Sequence, residues 1–405
     1  MTALVGPTAD PGPPPLLTRA FAAVFAAALA FFTSGGMVLP VASRFANGPL
    51  GADAVGVGVS IGAFAIAALA LRPVVGWASD RFGRRPLLLL GGGITVAALA
   101  AHLLVDALPA FVVVRALLGT GEALFFVAAL AALSDLAPPG RRGEAINLGS
   151  LSVYLGLGIG PLIGESVLAA GGFDATWLAA AVVAGVATGL SVLVPETAPA
   201  VLAAAAGGGG PRPRARLVHP AGILPGFLIL TGAWGMAGFF AFIPLHAPEA
   251  GLDGAGILLA MYAVIVIALR VVFAKLPDQV GTARLSGAAL AVSAIGLAMI
   301  GILGGPIGLL AGTAVFATGI AFMFPALMAL AVARVHEDER GSVVGTSSAF
   351  LDLSFGLGPA SLGFVAGASS YGVAFVVAAA VAALGAIVIV VFRRSLEAPT
   401  PAPGA

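Results

Sequence analysis

Three charged residues stand inside long apolar stretches of this chain, where an ionised side chain is costly. Arg115 and Glu122 lie in FVVVRALLGTGEALFF, and Asp352 lies in AFLDLSFGLGPASLG. A buried carboxylate can take up a proton on one side of a barrier and release it on the other, because burial favours its neutral form and water or a nearby cation favours its charged form. We therefore predict that Glu122 and Asp352 bind protons and that the charge of Arg115 tunes them.

The depth of each charge follows from its place in its helix. Arg115 and Glu122 are seven positions apart, about two helical turns, so they share a helix face. Glu122 lies about twelve residues into its apolar run and Asp352 about ten, which places both near the middle of a bilayer core about 30 Å thick. Arg115 lies about a turn and a half inside, and the alternative for it is a side chain that extends to the membrane surface.

The segment GWASDRFGRR combines a carboxylate, arginines and glycines at the end of an apolar run. Asp80 beside Arg81 and Arg85, with Gly76 and Gly83 around the turn, suits a charged latch at a membrane surface. The simpler alternative is a basic turn of the kind that flanks membrane helices on the cytoplasmic side.

The segment GLGIGPLIGE places small residues at regular spacing within an apolar run, namely Gly156, Gly160, Pro161 and Gly164, followed by Glu165. Glycines at this spacing let two helices touch backbone to backbone, and a proline adds a bend. A nucleotide-binding glycine loop would need a strand before it and a helix after it, so we do not predict that function for a motif inside an apolar helix. Close packing without any directional meaning remains an alternative.

Composition indicates a membrane protein. Of the 405 residues 60% are hydrophobic and 9% are charged, whereas soluble chains carry roughly a quarter charged residues. There is no cysteine, which excludes disulfides and thiolate chemistry. The net charge is +1 and the basic residues are scattered, so nothing indicates a nucleic-acid footprint and we predict no nucleic-acid partner. We predict an all-α protein that is not an enzyme, has no metal or other cofactor, and lies in the lipid bilayer.

Twelve apolar runs predict twelve transmembrane helices in two six-helix bundles. The first run follows a proline-rich start, and we interpret it as a membrane helix rather than a cleaved signal peptide. We predict a cytoplasmic tail (1–19), a first bundle (20–194), a cytoplasmic linker (195–221), a second bundle (222–393) and a second cytoplasmic tail (394–405). The helices are predicted at 20–43, 54–76, 87–105, 110–133, 146–169, 175–194, 222–245, 254–275, 285–304, 306–331, 342–368 and 372–392.

The distribution of Lys and Arg predicts the orientation, because cytoplasmic loops accumulate these residues. With a cytoplasmic N-terminus, fifteen of the 19 fall on the cytoplasmic side and only Arg44 falls outside. Arg72, Arg115 and Arg270 lie within helices. The pattern predicts a multi-pass protein of the cytoplasmic (inner) membrane with both termini in the cytoplasm.

The two halves of the chain repeat at a fixed offset. Asp80 and Asp278 differ by 198 (278 minus 80), and the same offset relates many Gly, Pro and Arg positions. Six helices per half is an even number, so the halves insert with the same topology and a pseudo-two-fold axis runs along the membrane normal. The matching pairs include Leu71 and Leu269, Arg72 and Arg270, Gly83 and Gly281, Gly121 and Gly319, Gly160 and Gly358, and Pro161 and Pro359.

The buried charges break this repeat. The second copy of the charged turn, AKLPDQVGTAR, keeps Asp278 and Gly281 but lacks the double arginine. The scaffold is thus duplicated while its charges are not, which marks those positions as functional candidates. The unmatched pairs are Arg115 and Thr313, Glu122 and Ile320, Glu165 and Gly363, and Tyr154 and Asp352.

These motifs together resemble the major facilitator superfamily, in its bacterial arabinose-efflux-permease-like or drug-efflux branch. The resemblance covers essentially residues 20 to 393. It implies that Asp80, Arg81 and Arg85, with Asp278 and Gly281, form a cytoplasmic gate. It also implies that the Arg115 helix takes part in proton coupling. The glycine motif, including its copy at Gly358 and Pro359, resembles the one that antiporters share, although Glu165 replaces its final glycine. Members usually act as monomers.

Residues and resemblance together predict a proton-coupled secondary transporter. We expect an exporter, an antiporter of small amphipathic organic compounds, drugs or metabolites that works by alternating access, because the helices offer many apolar and few hydrogen-bonding groups. One alternative is a proton-coupled importer of a small organic acid or nutrient, with Arg115 or Arg270 as the anion partner. A non-transporting receptor or scaffold is another. His246, Glu249 and Asp253 are predicted to form a solvated outer loop rather than a cation site.

Overall fold

All regular secondary structure in the described residues is helical. The computed structural model describes residues 16–138, 141–198, 218–273, 276, 280–332, 335 and 340–397. A short 3₁₀ turn, His102–Leu104, follows the third helix. The helices are α1 (Arg19–Asn47), α2 (Ala54–Phe82), α3 (Arg84–Ala101), α4 (Leu108–Asp135), α5 (Arg142–Ser191), α6 (Pro220–Glu249), α7 (Gly256–Val272), α8 (Thr282–Ile302), α9 (Gly305–Val332), α10 (Arg340–Ala368) and α11 (Tyr371–Glu397). The predicted all-α class is confirmed.

Helix α5 bends at Gly172, between two of the predicted helices. It contains 50 residues, about 75 Å of helix, which is more than twice the thickness of a bilayer core. Gly172 adopts φ 73° and ψ −168°, a conformation that is essentially restricted to glycine. The bend divides α5 into two apolar segments, each of which has the length of a membrane span.

The helices are long and apolar enough to make this a multi-pass membrane protein. Ten segments of the described chain meet the length and composition of a membrane span, and Gly256–Val272 is a shorter apolar helix. Large apolar side chains cover the outer surface, for example Leu104 and Ile307, which are 86% and 82% exposed. Such a surface suits lipid rather than water.

The helix ends form two opposite surfaces, which we name after one residue in each. The Asp53 end holds the α1–α2 connection, where the Asp53 side chain accepts a hydrogen bond of 2.8 Å from the Gly56 amide and so caps α2. The Gly83 end holds the tight turn between α2 and α3, where Gly83 adopts φ 107°. Because consecutive helices alternate in direction, the α6–α7 and α10–α11 connections lie at the Asp53 end as well.

Four of the first five helices pack mainly on others of that group, and α2 packs about equally on α4 and α10. Helix α1 packs on α5, and α4 packs on α2 and α3; among the last six, α6 packs on α10, and α9 packs on α7 and α8. Contact between the groups is made chiefly by α2 on α10, α5 on α7 and α1 on α6. Within the first group, aromatic rings support the packing, as in the stacked pair Phe31 and Phe125, whose centroids are 4.0 Å apart.

Candidate functional site

An ion pair between α2 and α10 forms the centre of the candidate site. Arg72 Nη2 donates a hydrogen bond of 2.8 Å to Asp352 Oδ1. Asp352 is 9% exposed, and its Oδ2 and the Nε of Arg72 are buried without a hydrogen-bond partner among the described residues. A charged pair with spare donors and acceptors is unusual in an apolar interior, because unsatisfied polar groups there are costly. The pair therefore retains capacity to bind something else.

Glu122 belongs to the same centre. It precedes Phe126 by one helical turn on α4, so the two side chains share a face. The Arg72 guanidinium lies 5.3 Å from the centroid of the Phe126 ring, which brings Arg72 beside Glu122. The charges of Arg72 and Asp352 both act on the Glu122 carboxylate. The structure thus brings the two predicted proton carriers into one region, and Arg72 lies near both of them.

Close packing of α2 on α10 positions the ion pair. A Cβ on Gly58 would meet the Pro359 carbonyl, and one on Gly62 would meet the Gly356 carbonyl, so only glycine allows these backbones to approach so closely. One turn further along α2, the Ile66 side chain meets Gly356, at 2.8 Å from an added Cβ. Further along α2, towards the Gly83 end, the long Arg72 side chain reaches Asp352 of α10.

Arg115 lies apart from this centre, near the Asp53 end. It is 3% exposed, its Nε donates a hydrogen bond of 3.4 Å to the Ser60 carbonyl, and its guanidinium lies 5.1 Å from the centroid of the Phe64 ring. The side chain is therefore held inside the protein against α2, which differs from the alternative of extension to the surface. Its role in tuning the carboxylates stays a prediction.

At the Gly83 end the buried arginine is Arg84. Its Nη1 donates hydrogen bonds to Asp80 Oδ1 at 2.7 Å and to Ser79 Oγ at 3.1 Å, and its Nε donates to Asp135 Oδ2 at 3.1 Å. Arg81 is exposed, with its guanidinium 5.6 Å from the Trp77 ring centroid. The latch that the sequence predicts at Asp80 is thus completed within the first five helices by Arg84.

Glu196 closes the same network from the segment after α5. Its carboxylate accepts backbone hydrogen bonds from Arg84 at 2.8 Å and from Arg85 at 3.3 Å, at the start of α3. It also accepts bonds from the Thr197 and Ala198 amides at 2.9 and 2.8 Å. A negative charge at a helix N-terminus satisfies free amides and interacts favourably with the helix dipole. The segment after α5 is therefore tied to the α2–α3 turn.

The other predicted gate residues have simpler surroundings. A Cβ on Gly76 would meet open space, so close packing does not require glycine there. Gly281 caps α8 with φ 89°, as its repeat partner Gly83 caps α3 with φ 107°, and both conformations favour glycine. Asp278 lies outside the described residues.

The predicted glycine motif packs α5 directly on α1. A Cβ on Gly156 would lie 2.7 Å from the Phe32 carbonyl carbon, and one on Gly160 would lie 2.6 Å from the Gly36 Cα. Gly164 faces the Met37 backbone in the same way. In the second copy, Gly358 faces α6, with an added Cβ 3.4 Å from Ala237 Cβ. The close approach of the helix backbones explains why these residues are small. Their role in antiport stays a prediction.

Glu165 links α5 to α7 at the Asp53 end. Its Oε1 lies 3.6 Å from Arg44 Nη2 of α1, and its carboxylate lies against the backbone amides of Ala255 and Gly256 at the start of α7. A Cβ on Gly256 would lie only 2.6 Å from Glu165 Oε2. The residue that breaks the glycine motif therefore forms a polar contact between the two groups of helices.

The remaining candidates from the sequence occupy separate places. Arg270, the repeat partner of Arg72, donates from Nε to the Ala321 carbonyl at 3.0 Å. His246 and Glu249 lie in the last turn of α6 and not in the predicted outer loop, and His246 Nδ1 is 3.5 Å from Glu249 Oε2. Within the described residues there is no group of three or more His, Cys, Asp or Glu side chains arranged to bind a metal ion.

The sequence did not identify the two cations of these networks, Arg72 and Arg84, or the carboxylates of Asp135 and Glu196 that bind the second one. Arg72 carried a usable signal, since it is a charge in an apolar helix, but its partner Asp352 is 280 positions away. Arg84 is one of three arginines in the motif DRFGRR, and nothing in the motif identifies which of them turns inward.

Comparisons with known proteins give a consistent result. The family model of the Major Facilitator Superfamily matches residues 21–345 and 253–405. The chain is 29% identical over 350 residues to an uncharacterized MFS-type transporter of Salmonella typhimurium, covering 84% of this chain and 87% of that protein. It is 28% identical over 368 residues to one of Burkholderia mallei, covering 89% and 88%.

Solved structures share the fold at low sequence identity. A POT family transporter in complex with 5-aminolevulinic acid gives a TM-score of 0.79 at 12% identity, covering 94% of this chain and 97% of that one. The human organic anion transporter MFSD10 (TETRAN) gives 0.67 at 18% identity, covering 93% and 100%. Since the family model spans nearly the whole chain, this protein belongs to the Major Facilitator Superfamily and is a transporter rather than an enzyme.

Proposed function

We propose that this transporter exports small amphipathic organic compounds in exchange for protons. Glu122 and Asp352 bind the coupling protons, and Arg72 sets the state of both. The observation that carries this proposal is the Arg72–Asp352 pair between α2 and α10, with Glu122 beside it. A charge at membrane depth normally marks a substrate or ion pathway. No nucleotide-binding loop stands in the sequence to couple ATP, so an ion gradient is the energy source.

The same contacts support alternating access between two six-helix bundles, residues 20–194 and 222–393. With the offset of 198, α2 corresponds to α7 and α10 corresponds to the first segment of α5, so the contacts of α2 on α10 and of α7 on α5 are equivalent. This supports a pseudo-two-fold axis along the membrane normal. The bundles rock about the central site, and the protein acts as a monomer.

The Lys and Arg count supports the proposed orientation. The Gly83 end faces the cytoplasm of a cell bounded by the cytoplasmic (inner) membrane, and both termini lie on that side. The glycines that bring the backbones of α2 and α10 together, Gly58 and Gly62, lie towards the Asp53 end, whereas the long Arg72 side chain stands between these helices nearer the Gly83 end. This arrangement suits the state in which the site is open to the cytoplasm and closed to the outside.

Protonation couples to movement because it removes the ion pair. When Asp352 is ionised, Arg72 holds α2 to α10; when Asp352 is protonated, the attraction weakens and the helices separate more easily. Glu122 provides a second acceptor for Arg72 at the same depth, so the cation can change partner without becoming unpaired.

The test is flux driven by a proton gradient in proteoliposomes. Glu122→Gln and Asp352→Asn should each abolish concentrative transport, because an amide cannot carry a proton through the cycle, while downhill exchange persists. The matched control is Glu249→Gln, which removes an exposed carboxylate at the Asp53 end. If both central variants couple at normal rates, the assignment of proton carriers is wrong.

A further inference from the structure

The central site contains one cation and two carboxylates. Arg72 bonds to Asp352, and Glu122 lies one helical turn from the ring that supports the Arg72 guanidinium. With both carboxylates ionised the site carries a net charge of −1, counted as +1 −1 −1. An uncompensated charge is costly in an apolar interior. The site is therefore neutral only when it holds one further positive charge.

Two kinds of positive charge can occupy this place in turn. A proton on one carboxylate neutralises the site, and so does a bound monovalent cation. Asp352 Oδ2 is buried and free of hydrogen bonds in the described chain, while Glu122 is only partly buried. A ligand therefore reaches the Glu122 carboxylate more directly than the Asp352 carboxylate, which is already paired with Arg72.

Aromatic rings beside Glu122 suit an organic cation. Phe126 packs edge to face on Phe32 of α1, with their centroids 5.7 Å apart, and one face of Phe126 already supports the Arg72 guanidinium. Ring faces attract cations and also bind apolar surface. A small hydrated inorganic ion gains less binding free energy from such aromatic rings than an amphipathic organic cation does.

Two charged residues act on Glu122, namely Arg72 on α2 and Asp352 on α10. The other charged residues around α4 lie away from Glu122. On α4 itself, Arg115 lies two turns away and contacts the Ser60 carbonyl. Helices α1 and α3 carry their titratable residues near their ends, and Glu165 of α5 lies at the Asp53 end.

We infer that the transported compound is a monovalent amphipathic organic cation, which binds Glu122 beside the Arg72–Asp352 pair and displaces one proton. In the exchange, the O–H bond of the Glu122 carboxylic acid breaks, the proton passes to water, and the ligand's charge replaces it. One cation then leaves for each proton that enters, so the cycle moves no net charge. This inference rests on the proposed function and names its substrate class.

The test uses two probes of the same shape and opposite charge, tetraphenylphosphonium and tetraphenylborate, with the purified full-length protein in detergent. Calorimetry in weakly buffered solution measures binding together with proton release. We expect tetraphenylphosphonium to bind in preference to tetraphenylborate and to release about one proton per cation at neutral pH. Failure of tetraphenylphosphonium to bind, or preferential binding of tetraphenylborate, would overturn the inference.

Variants give opposite outcomes that a structural effect alone does not produce. Glu122→Gln and Asp352→Asn each leave a neutral site, so the cation should bind roughly tenfold more weakly or worse, a loss of about 1.4 kcal/mol, without proton release. Arg72→Gln leaves two carboxylates and should bind the cation at least as tightly as the unaltered protein. Glu122→Asp keeps the charge and should keep proton release, as should the control Glu249→Gln.

Proteoliposomes separate this inference from the proposed function. Flux of tetraphenylphosphonium driven by a pH gradient should be unaffected when the membrane potential is clamped at different values. If tetraphenylborate binds in preference to tetraphenylphosphonium and its flux is driven by the pH gradient, the inferred substrate class is refuted and the proposed function stands. Binding of tetraphenylphosphonium with proton release, but without gradient-driven flux, would refute the proposed function and leave the cation site standing.

Discussion

Arg72 and Asp352 join α2 to α10 at 2.8 Å although 280 positions separate them in the chain. Neither residue has the usual environment of its type, since Asp352 is buried and Arg72 ends the apolar segment Ala54–Arg72 within a helix that continues to Phe82. Because Glu122 lies beside the pair, removal of the Arg72 cation leaves two carboxylates unpaired, whereas removal of the Asp352 carboxylate leaves Arg72 beside Glu122. This asymmetry makes the pair testable.

Arg72→Gln should destabilise the protein more than Asp352→Asn. The first change leaves two carboxylates without their cation, whereas the second leaves Arg72 beside Glu122. Leaving a buried charge unpaired costs about 3 kcal/mol, so the midpoint of thermal unfolding in detergent should fall clearly for Arg72→Gln and less for Asp352→Asn. The Arg72→Gln deficit should shrink between pH 8 and pH 5, since protonation neutralises the remaining carboxylates. Equal losses with no pH dependence would contradict the charge count.

Arg84 should matter far more for stability than Arg81, although both stand in the same motif. Arg84→Ala removes the cation that binds Asp80 and Asp135, and the loss should be about 3 kcal/mol. Arg81→Ala removes an exposed side chain, and surface changes of this kind stay within about 0.5 kcal/mol. Thermal unfolding of the two variants side by side measures the difference, and a larger loss for Arg81→Ala would refute the arrangement at the Gly83 end.

A disulfide between α2 and α10 should lock the Asp53 end. An added Cβ on Gly367 lies 4.0 Å from Ala54 Cβ, within the range that disulfides span, and the chain has no other cysteine. In the variant Ala54→Cys with Gly367→Cys, oxidation should lower transport roughly tenfold or more, because alternating access requires this contact to open. Reduction should restore transport.

The matched control is a disulfide within the second proposed bundle. Ala237→Cys with Gly358→Cys joins α6 to α10, where the two Cβ positions are 3.4 Å apart. Oxidation of this pair should leave most of the transport rate intact, because α6 and α10 move together. Equal inhibition by both disulfides would mean that general rigidity, and not closure of the Asp53 end, limits the cycle.

Glu165→Gln should loosen the contact between α5 and α7. The change removes the charge that faces Arg44 and the start of α7. The probe is a single cysteine at Ala263, which faces Gly158 across the same interface, with an added Cβ only 3.0 Å away. A membrane-impermeant maleimide applied from the Asp53 side should label this cysteine several-fold faster in Glu165→Gln. Glu249→Gln is the control, and unchanged labelling would show that Glu165 does not hold the interface.

The helices were predictable because each apolar run is a local property of the sequence. The predicted run at 54–76 belongs to α2, which ends at Phe82, and the predicted gap between 169 and 175 contains the bend at Gly172. Helix ends were less predictable, since polar residues such as Arg81 continue the helix beyond the apolar region. Local signals cannot show where a helix stops once it leaves the membrane.

The candidate site was predictable in part. Glu122 and Asp352 were recognisable because a carboxylate in an apolar helix is costly wherever it stands. Their common cation was not, because the approach of Arg72 depends on how α2 packs on α10, and that packing is set by glycines at Gly58 and Gly62 rather than by charge. Side-chain pairing between distant helices is a property of the assembled bundle.

The bonds between Glu196 and the α2–α3 turn have a consequence for the connector between the proposed bundles. They fix the chain as far as Ala198, and α6 begins at Pro220. The connector between the proposed bundles therefore starts at 198 and ends near 218. It has about 20 residues, which reach at most about 70 Å when fully extended. This reach exceeds the thickness of a bilayer core, so we expect the contacts between helices, rather than the connector, to limit any movement of the two proposed bundles.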